Sequence, residues 1–138
     1  GTVVGELIGG CIEVLEFAKA TALWPKDTYW ENSILFFETS EGKPTPDYLR
    51  GWLRNYGAQG ILQKANGIIF GKPQDETYAE EYKEVIKQVM KEYHLEDVPV
   101  MCNMNFGHTE PKMILPYGAR AAINCDEGSF TILDSVVK

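Results

Sequence analysis

The sequence predicts an α/β fold in which a mainly parallel sheet is flanked by helices, with a smaller antiparallel-leaning β layer at the C-terminal end. Apolar runs of about four to eight residues alternate with helical patterns, and Gly or Pro marks each junction, which is typical of βαβ units. After residue 103 the apolar runs are short and are joined by a few residues each, which suits antiparallel strands because parallel strands need long crossovers. The length of 138 residues favours a single domain over residues 1–138.

The first strand is predicted over residues 3–8, and it ends at the pair Gly9-Gly10. A helix is predicted over residues 11–20, because the apolar residues there recur at helical spacing. Residues 21–32 are rich in Trp, Pro and Tyr, and we expect them to form a loop.

The second strand and the second helix have clear boundary signals. Residues 33–37 form a continuous apolar run that ends abruptly at Glu38, as in a parallel strand covered on both faces. After a polar turn, Thr45 supplies an N-cap and Pro46 the first helical residue. Apolar residues then recur at helical spacing until Gly57, which predicts the end of the helix.

The third and fourth strands are predicted on either side of a long amphipathic helix. Residues 67–70 form an apolar run with glycine on both sides, and residues 75–94 carry an apolar stripe with an acidic first turn, which suits a helix N-terminus. Residues 98–103 predict a fourth strand of the buried type. Three short strands are then predicted over residues 113–115, 119–123 and 130–133.

Charge and cysteine usage narrow the class of protein. With 13 Lys and Arg against 20 Asp and Glu, the net charge of −7 argues against nucleic acid or an anionic membrane as a partner. No apolar stretch reaches about 18 residues, so neither a signal peptide nor a membrane span is predicted. Cys11, Cys102 and Cys125 are widely spaced and there are only two histidines, so we expect no metal site, and no cofactor is predicted either. Each cysteine lies in or beside an apolar run, as a buried free thiol does, which favours a reducing, cytoplasmic location. Because the chain opens on Gly1 without Met, we expect a further segment upstream.

The residues just past the strands are the candidate chemical groups, because functional groups gather at the carboxyl ends of parallel strands in open α/β sheets. Glu38 directly follows the second strand, and His108 lies in a loop after the fourth. If both strands are parallel, the two side chains leave the same edge and can pair. A carboxylate that accepts the imidazole Nδ1–H fixes the tautomer and stabilises the imidazolium that forms when Nε2 takes a proton.

The nucleophile that such a pair would serve is missing, because none of the four serines lies in a G-x-S-x-G-like turn between a strand and a helix. Structural roles for Glu38, as the cap of a neighbouring helix, and for His108, as a loop residue, stay open. A thiol enzyme with Cys102 as nucleophile is another alternative, although the apolar strand around this cysteine favours buried packing. The pair Gly9-Gly10 before a helix is a weak anion-binding signal.

Five segments together resemble a known family of serine peptidases. They are GELIGGCIEVL, TALWP, ILFFETSE, YLRGWLRNYG with GIIFGK, and NFGHTEPKMILPYGARAAI. Over almost the whole chain, and in the family's order, they are similar to the C-terminal domain of the LD-carboxypeptidase family. That family includes the murein tetrapeptide LD-carboxypeptidases and the microcin C self-immunity peptidases.

The resemblance implies a two-domain hydrolase whose N-terminal flavodoxin-like domain bears the nucleophilic serine and lies outside this chain. The chain itself would be the swivelling β/β/α-type C-terminal domain, with the N-terminal domain as its partner. The Glu of the family's ILFxE motif falls on Glu38 and the His of its FGH motif falls on His108, which implies that both are catalytic. The isolated chain is then expected to lack peptidase activity, because it has neither nucleophile nor oxyanion hole.

The resemblance also implies a small substrate, of peptide or aminoacyl-nucleotide type. The Thr after His108 and the aromatic region around Trp24 favour the microcin-immunity branch. A murein tetrapeptide LD-carboxypeptidase in cell-wall recycling and a non-enzymatic binding module with the same fold are the alternatives.

Two further residues are carried as substrate-binding candidates. After the paired glycines the family commonly has an Asn associated with substrate contact, and this chain has Cys11 there. Lys43, just after the Glu38 turn, could meet an acidic or phosphate-bearing group of the substrate. A homodimer stays open as a further assembly, and an apolar face exposed where the N-terminal domain packs would let the isolated chain self-associate.

Overall fold

Six strands and three α-helices make up residues 1–135, the part of the chain that the computed structural model describes. In chain order they are β1 (Thr2–Cys11), α1 (Ile12–Ala18), β2 (Ser33–Glu38), α2 (Pro46–Ala58), β3 (Ala65–Gly71), α3 (Ala79–Glu92), β4 (Val100–Met104), β5 (Arg120–Asn124) and β6 (Ser129–Ile132). Short 3₁₀ turns lie at Asp27–Trp30, Leu62–Lys64 and Gln74–Glu76.

All six strands belong to one sheet with the order β4-β3-β2-β1-β5-β6. Strands β1 to β4 pair in parallel, and one helix lies in each connection between them. The predicted α/β class with a mainly parallel sheet is therefore confirmed. The antiparallel strands at the end are also present, and they extend the same sheet instead of forming a separate layer, because β5 pairs with the free edge of β1.

The sheet curls, so that both of its faces are covered. A Cβ at Gly67 on β3 would lie 2.7 Å from Ile123 Cδ1 on β5, which shows how closely the two ends of the sheet approach on one face. Phe106 packs into the core on that face, and the larger core on the helical face includes the buried rings of Trp30 and Tyr56. Five of the six residues of β2 are buried, as its continuous apolar run predicted.

The helix boundaries follow the sequence signals in one case and depart from them in another. Helix α2 begins at Pro46 as predicted. Helix α3 begins at Ala79 and not at residue 75, because Asp75, Glu76 and Tyr78 have left-handed backbones with φ of 54°, 56° and 64°. Within residues 1–135, none of the helices combines the length and apolar character needed to cross a membrane.

The predicted strand over residues 113–115 is wrong. These residues lie in an irregular connection between β4 and β5, which we term the 105–119 loop. The backbone N–H of Met113 donates to the carbonyl oxygen of Asn105 at 2.6 Å, so the loop closes on itself here, and residues 113–115 are not part of a strand.

The carboxyl ends of the four parallel strands lie along one edge of the sheet. Cys11 on β1 is level with Glu38 on β2, and Gly71 on β3 is level with Met104 on β4. The 105–119 loop starts at this edge, so the fold places its side chains beside those at the ends of β1 and β2.

Candidate active site

The Glu38 carboxylate is enclosed at the carboxyl edge of the sheet, with only 11% of its side chain exposed. Two glycines leave room for it. A Cβ at Gly71 would lie 3.1 Å from Glu38 Cβ, and one at Gly107 would lie 2.6 Å from Glu38 Oε2. Gly107 has a φ of 86°, a conformation that favours glycine. The loop can therefore close over the carboxylate because residue 107 has no side chain.

His108 reaches this carboxylate from the 105–119 loop through two hydrogen bonds. Its Nδ1 lies 2.7 Å from Glu38 Oε2, and its backbone N–H donates to the same oxygen at 3.2 Å. Because an ionised carboxylate can only accept, Nδ1 carries the hydrogen, and Nε2 is the nitrogen left for proton exchange. The structure thus brings together the two side chains that the sequence placed past parallel strands, and their catalytic roles stay predictions.

A second carboxylate contacts the other side of the imidazole. Glu41 Oε2 lies 3.0 Å from His108 Nε2, and both side chains are solvent-accessible, His108 at 40% and Glu41 at 69%. The hydrogen bond to Glu38 raises the pKa of His108 above its usual value, and the negative charges of Glu41 and Glu13 add to this rise against the opposing effect of burial.

The turn that carries Glu41 is anchored to α1. The backbone N–H of Ser40 donates to Glu13 Oε1 at 2.9 Å, while Glu13 Oε2 is buried without a hydrogen-bond partner in the part of the chain that the structure describes. Sequence reasoning missed both Glu13 and Glu41. Their positions could have identified both residues, because Glu13 lies in the first turn of the helix after β1 and Glu41 follows Glu38 by three residues at the same edge of the sheet.

An open cleft of about 710 Å³ lies beside His108, within the size range of small-molecule sites. The 105–119 loop and the turn after β3 line it with His108, Thr109, Glu110, Lys112, Lys72, Gln74, Asp75 and Glu76. Three lysines pair with its carboxylates: Lys112 with Glu110 at 3.0 Å, Lys72 with Glu76 at 4.0 Å, and Lys43 with Asp75 at 2.5 Å. The cleft is therefore polar and nearly balanced in charge.

The two predicted substrate-binding residues lie at the same edge of the sheet in different settings. Cys11 is half-buried at the end of β1, level with Glu38, and burial raises the pKa of its thiol to about 12, so it stays protonated at neutral pH. Lys43 has a left-handed backbone with φ of 48°, and its ammonium group is paired with Asp75 at the rim of the cleft.

The candidate nucleophiles within the chain are engaged elsewhere or are not activated. The buried Ser33 hydroxyl donates to the Trp30 carbonyl at 2.7 Å, and the Ser40 hydroxyl accepts from the Gly42 N–H at 3.0 Å. Cys102 packs against the helical core, and burial raises the pKa of its thiol, which opposes a thiolate. Among residues 1–135 there is no group of three or more His, Cys, Asp or Glu side chains that could hold a metal ion.

A known protein family matches most of this chain. Residues 4–123 fit the family model of the LD-carboxypeptidase C-terminal domain. The chain belongs to this family. The match extends from β1 to β5, so it includes the strand ends and the 105–119 loop that build the Glu38–His108 pair.

Members of the family and of its fold class resemble the chain over nearly its full length. A putative carboxypeptidase of Treponema pallidum is 27% identical over 133 residues, 96% of this chain and 38% of that protein. An MccF-like protein from Streptococcus pneumoniae, solved in complex with AMP, is 31% identical with a TM-score of 0.81, covering 95% of this chain and 41% of that one. The microcin C7 self immunity protein MccF shares the fold, with a TM-score of 0.84 and 24% identity, over 100% of this chain and 40% of that one. The chain therefore spans about two-fifths of the length of these relatives.

Proposed function

We propose that this chain is the C-terminal domain of a two-domain serine carboxypeptidase-like amide hydrolase, and that it supplies the Glu and His of a Ser-Glu-His triad. The observation that carries the proposal is the 2.7 Å contact between His108 Nδ1 and Glu38 Oε2 at the carboxyl edge of the parallel strands. Membership of the LD-carboxypeptidase family supports the peptidase class. The share of the relatives' length that lies outside the match is large enough for a serine-bearing N-terminal domain.

In the proposed reaction His108 is the catalytic general base and then the general acid. Nε2 takes the proton of the serine hydroxyl as Oγ attacks the carbonyl carbon of the scissile amide, and it returns that proton to the leaving amine as the C–N bond breaks. A water molecule then gives a proton to Nε2 as it attacks the acyl carbon, and Nε2 passes that proton to serine Oγ as the C–Oγ bond breaks, which releases the acid product and restores the serine. Glu38 acts through His108: it remains ionised, accepts Nδ1–H and stabilises the imidazolium formed in each step.

The substrate that we favour is a small amide of aminoacyl-nucleotide type. The Streptococcus pneumoniae relative was solved with AMP, and MccF was solved with glutamyl sulfamoyl guanosine, which supports a site for nucleotide conjugates in this fold. Cys11 and Lys43 are the proposed substrate-binding residues, with Lys43 leaving Asp75 to meet an anionic group. We also propose a reducing, cytoplasmic location, because Cys11, Cys102 and Cys125 are all free thiols.

A second candidate is cleavage of an LD-linked murein tetrapeptide. It is favoured by the description of the family and by the Treponema pallidum relative, which is named a putative carboxypeptidase. The two candidates share the Glu38–His108 pair and differ in the group that the cleft must hold.

The proposal is tested by assaying the two-domain protein with an aminoacyl-nucleotide conjugate and an LD-linked tetrapeptide side by side. We expect turnover of the conjugate, a loss of about 10²-fold or more in kcat for Glu38→Gln, and no such loss for Glu84→Gln, which removes the same charge on the exposed surface of α3. The 138-residue chain alone should show no turnover.

Four results would contradict the proposal in different ways. Wild-type activity in Glu38→Gln would refute the proposed triad. Turnover by the chain alone would show that the reaction needs no nucleophile from another domain. Preference for the tetrapeptide would move the assignment to the second candidate, and failure to cleave either substrate would favour the non-enzymatic binding module.

A further inference from the structure

The contact between Glu41 and His108 is unexpected in a general-base site. Nε2 is the nitrogen that the proposed reaction assigns to the serine hydroxyl, yet Glu41 Oε2 lies 3.0 Å from it. The backbone of the turn is fixed, because Lys43 N–H donates to the Ser40 carbonyl at 3.1 Å and Ser40 N–H donates to Glu13. The Glu41 side chain, in contrast, is 69% exposed and can swing into solvent.

A carboxylate at this place has a direct chemical consequence. A carboxylate 3.0 Å from Nε2 attracts a positively charged ring, so this ion pair favours a proton on Nε2. With Nδ1–H donating to Glu38 and Nε2 protonated in the ion pair with Glu41, the ring is an imidazolium and cannot accept the serine proton. Glu41 therefore competes with the nucleophile for the same nitrogen.

We propose that Glu41 is a positioning residue that holds His108 in a resting state and must release Nε2 before the nucleophile can use it. This inference rests on the proposed function. Because Glu41 favours the protonated ring, the resting enzyme needs a higher pH to deprotonate His108 than it would without this carboxylate. Glu41 thus sets the acid limit of the reaction.

Other charged groups around His108 do not offset the two carboxylates. The groups that face it are Glu38 at the end of β2, Glu41 on the following turn, Glu13 on α1, Lys72, Asp75 and Glu76 after β3, and Glu110 and Lys112 on its own loop. Both lysines of the cleft are paired with glutamates, Lys72 with Glu76 and Lys112 with Glu110. Direct contacts to the two ring nitrogens come from Glu38 and Glu41.

The contact can be measured in the 138-residue chain by NMR titration of its two histidines, with the exposed His94 as an internal reference. Removal of one charge in near contact at a solvent-exposed site should lower the His108 pKa by about half a unit or more in Glu41→Gln. Glu110→Gln removes the same charge from the same cleft without touching the ring, and we expect it to leave the His108 pKa within about 0.2 units of wild type. Equal pKa values in Glu41→Gln and Glu110→Gln would overturn the inference.

The pH dependence of kcat/KM in the two-domain protein tests the consequence for activity, because its acid limb reports the essential base of the free enzyme. In Glu41→Gln the acid limb should move to lower pH by the shift that NMR measures. An unmoved limb, or a similar loss of kcat/KM at every pH, contradicts the resting-state role. If His108→Ala retains wild-type activity, the proposed function itself fails. If His108→Ala is inactive and the Glu41→Gln limb is unmoved, only this inference fails.

Discussion

The close approach of Gly107 to Glu38 gives a prediction with a built-in control on the same loop. Gly107 and Gly118 both have left-handed backbones, with φ of 86° and 79°. A Cβ at Gly107 would lie 2.6 Å from Glu38 Oε2, whereas a Cβ at Gly118 would meet nothing within 4 Å. Gly107→Ala and Gly118→Ala therefore share the cost of the backbone conformation and differ in the clash with the Glu38 carboxylate.

The expected magnitudes follow from these distances. A left-handed backbone costs an L-residue about 1–2 kcal/mol, and this cost applies to both variants. At position 107 the new Cβ is about 1 Å short of normal van der Waals contact, so the loop or Glu38 must move by that amount. The 2.7 Å bond between His108 and Glu38 then becomes too long, which adds about 1 kcal/mol for a partly exposed pair. We expect a total loss of about 2–3 kcal/mol for Gly107→Ala and about 1–2 kcal/mol for Gly118→Ala.

Urea denaturation gives the free energy of unfolding, and NMR titration reports whether His108 still meets Glu38. Gly107→Ala should lose more stability than Gly118→Ala and should also lower the His108 pKa, whereas Gly118→Ala should leave that pKa unchanged. If the two variants are equally stable and both keep the wild-type His108 pKa, the loop does not depend on a glycine at position 107, and the reasoning is wrong.

Three further predictions concern packing, pH and thiol reactivity. Gly57→Ala places a Cβ 2.2 Å from the Tyr93 ring and should lower the free energy of unfolding, measured in urea, by about 1–3 kcal/mol. Gly51→Ala in the same helix meets open space and should raise it by up to about 1 kcal/mol. Two shifts of the same sign would contradict this packing. Because the folded-state pKa of His108 is raised, the stability that the ionised ring contributes is fully present below about pH 6.5 and is lost as pH rises through that raised value. Wild type should therefore exceed His108→Gln in free energy of unfolding by more at about pH 5.5 than at about pH 9, and a constant difference would refute the pairing. Alkylation followed by mass spectrometry at neutral pH should label the exposed Cys125 first and Cys11 slowly, and a fast-reacting Cys11 would contradict its burial.

The edge of the sheet at which Glu38 and His108 lie could be predicted, because it depends on the direction of the strands that precede them. A continuous apolar run that ends in a carboxylate marks both a parallel strand and its carboxyl edge. Once β2 and β4 run parallel in the same sheet, the groups that follow them must share that edge. The sequence pattern and the resemblance to a family were therefore enough to single out Glu38 and His108 as a pair.

The remaining features depend on backbone conformations that the sequence pattern does not specify. Met113, Ile114 and Leu115 form an apolar run that looks like a strand, yet Met113 and Ile114 are exposed in an irregular loop while Leu115 packs on the core. The acidic residues 75–76 look like a first helical turn, but their left-handed backbone delays the start of α3. Glu41 escaped prediction because its contact with His108 depends on how one polar turn folds.

The proposed role of His108 as general base can be tested directly, because the chain has one other histidine, His94, as a control. The measurement is kcat/KM of the two-domain protein for its best amide substrate in wild type, His108→Ala and His94→Ala. We expect a loss of at least about 10²–10⁴-fold for His108→Ala and wild-type activity for His94→Ala, because His94 lies exposed just past the end of α3. Wild-type activity in His108→Ala, or an equal loss in both variants, would contradict it.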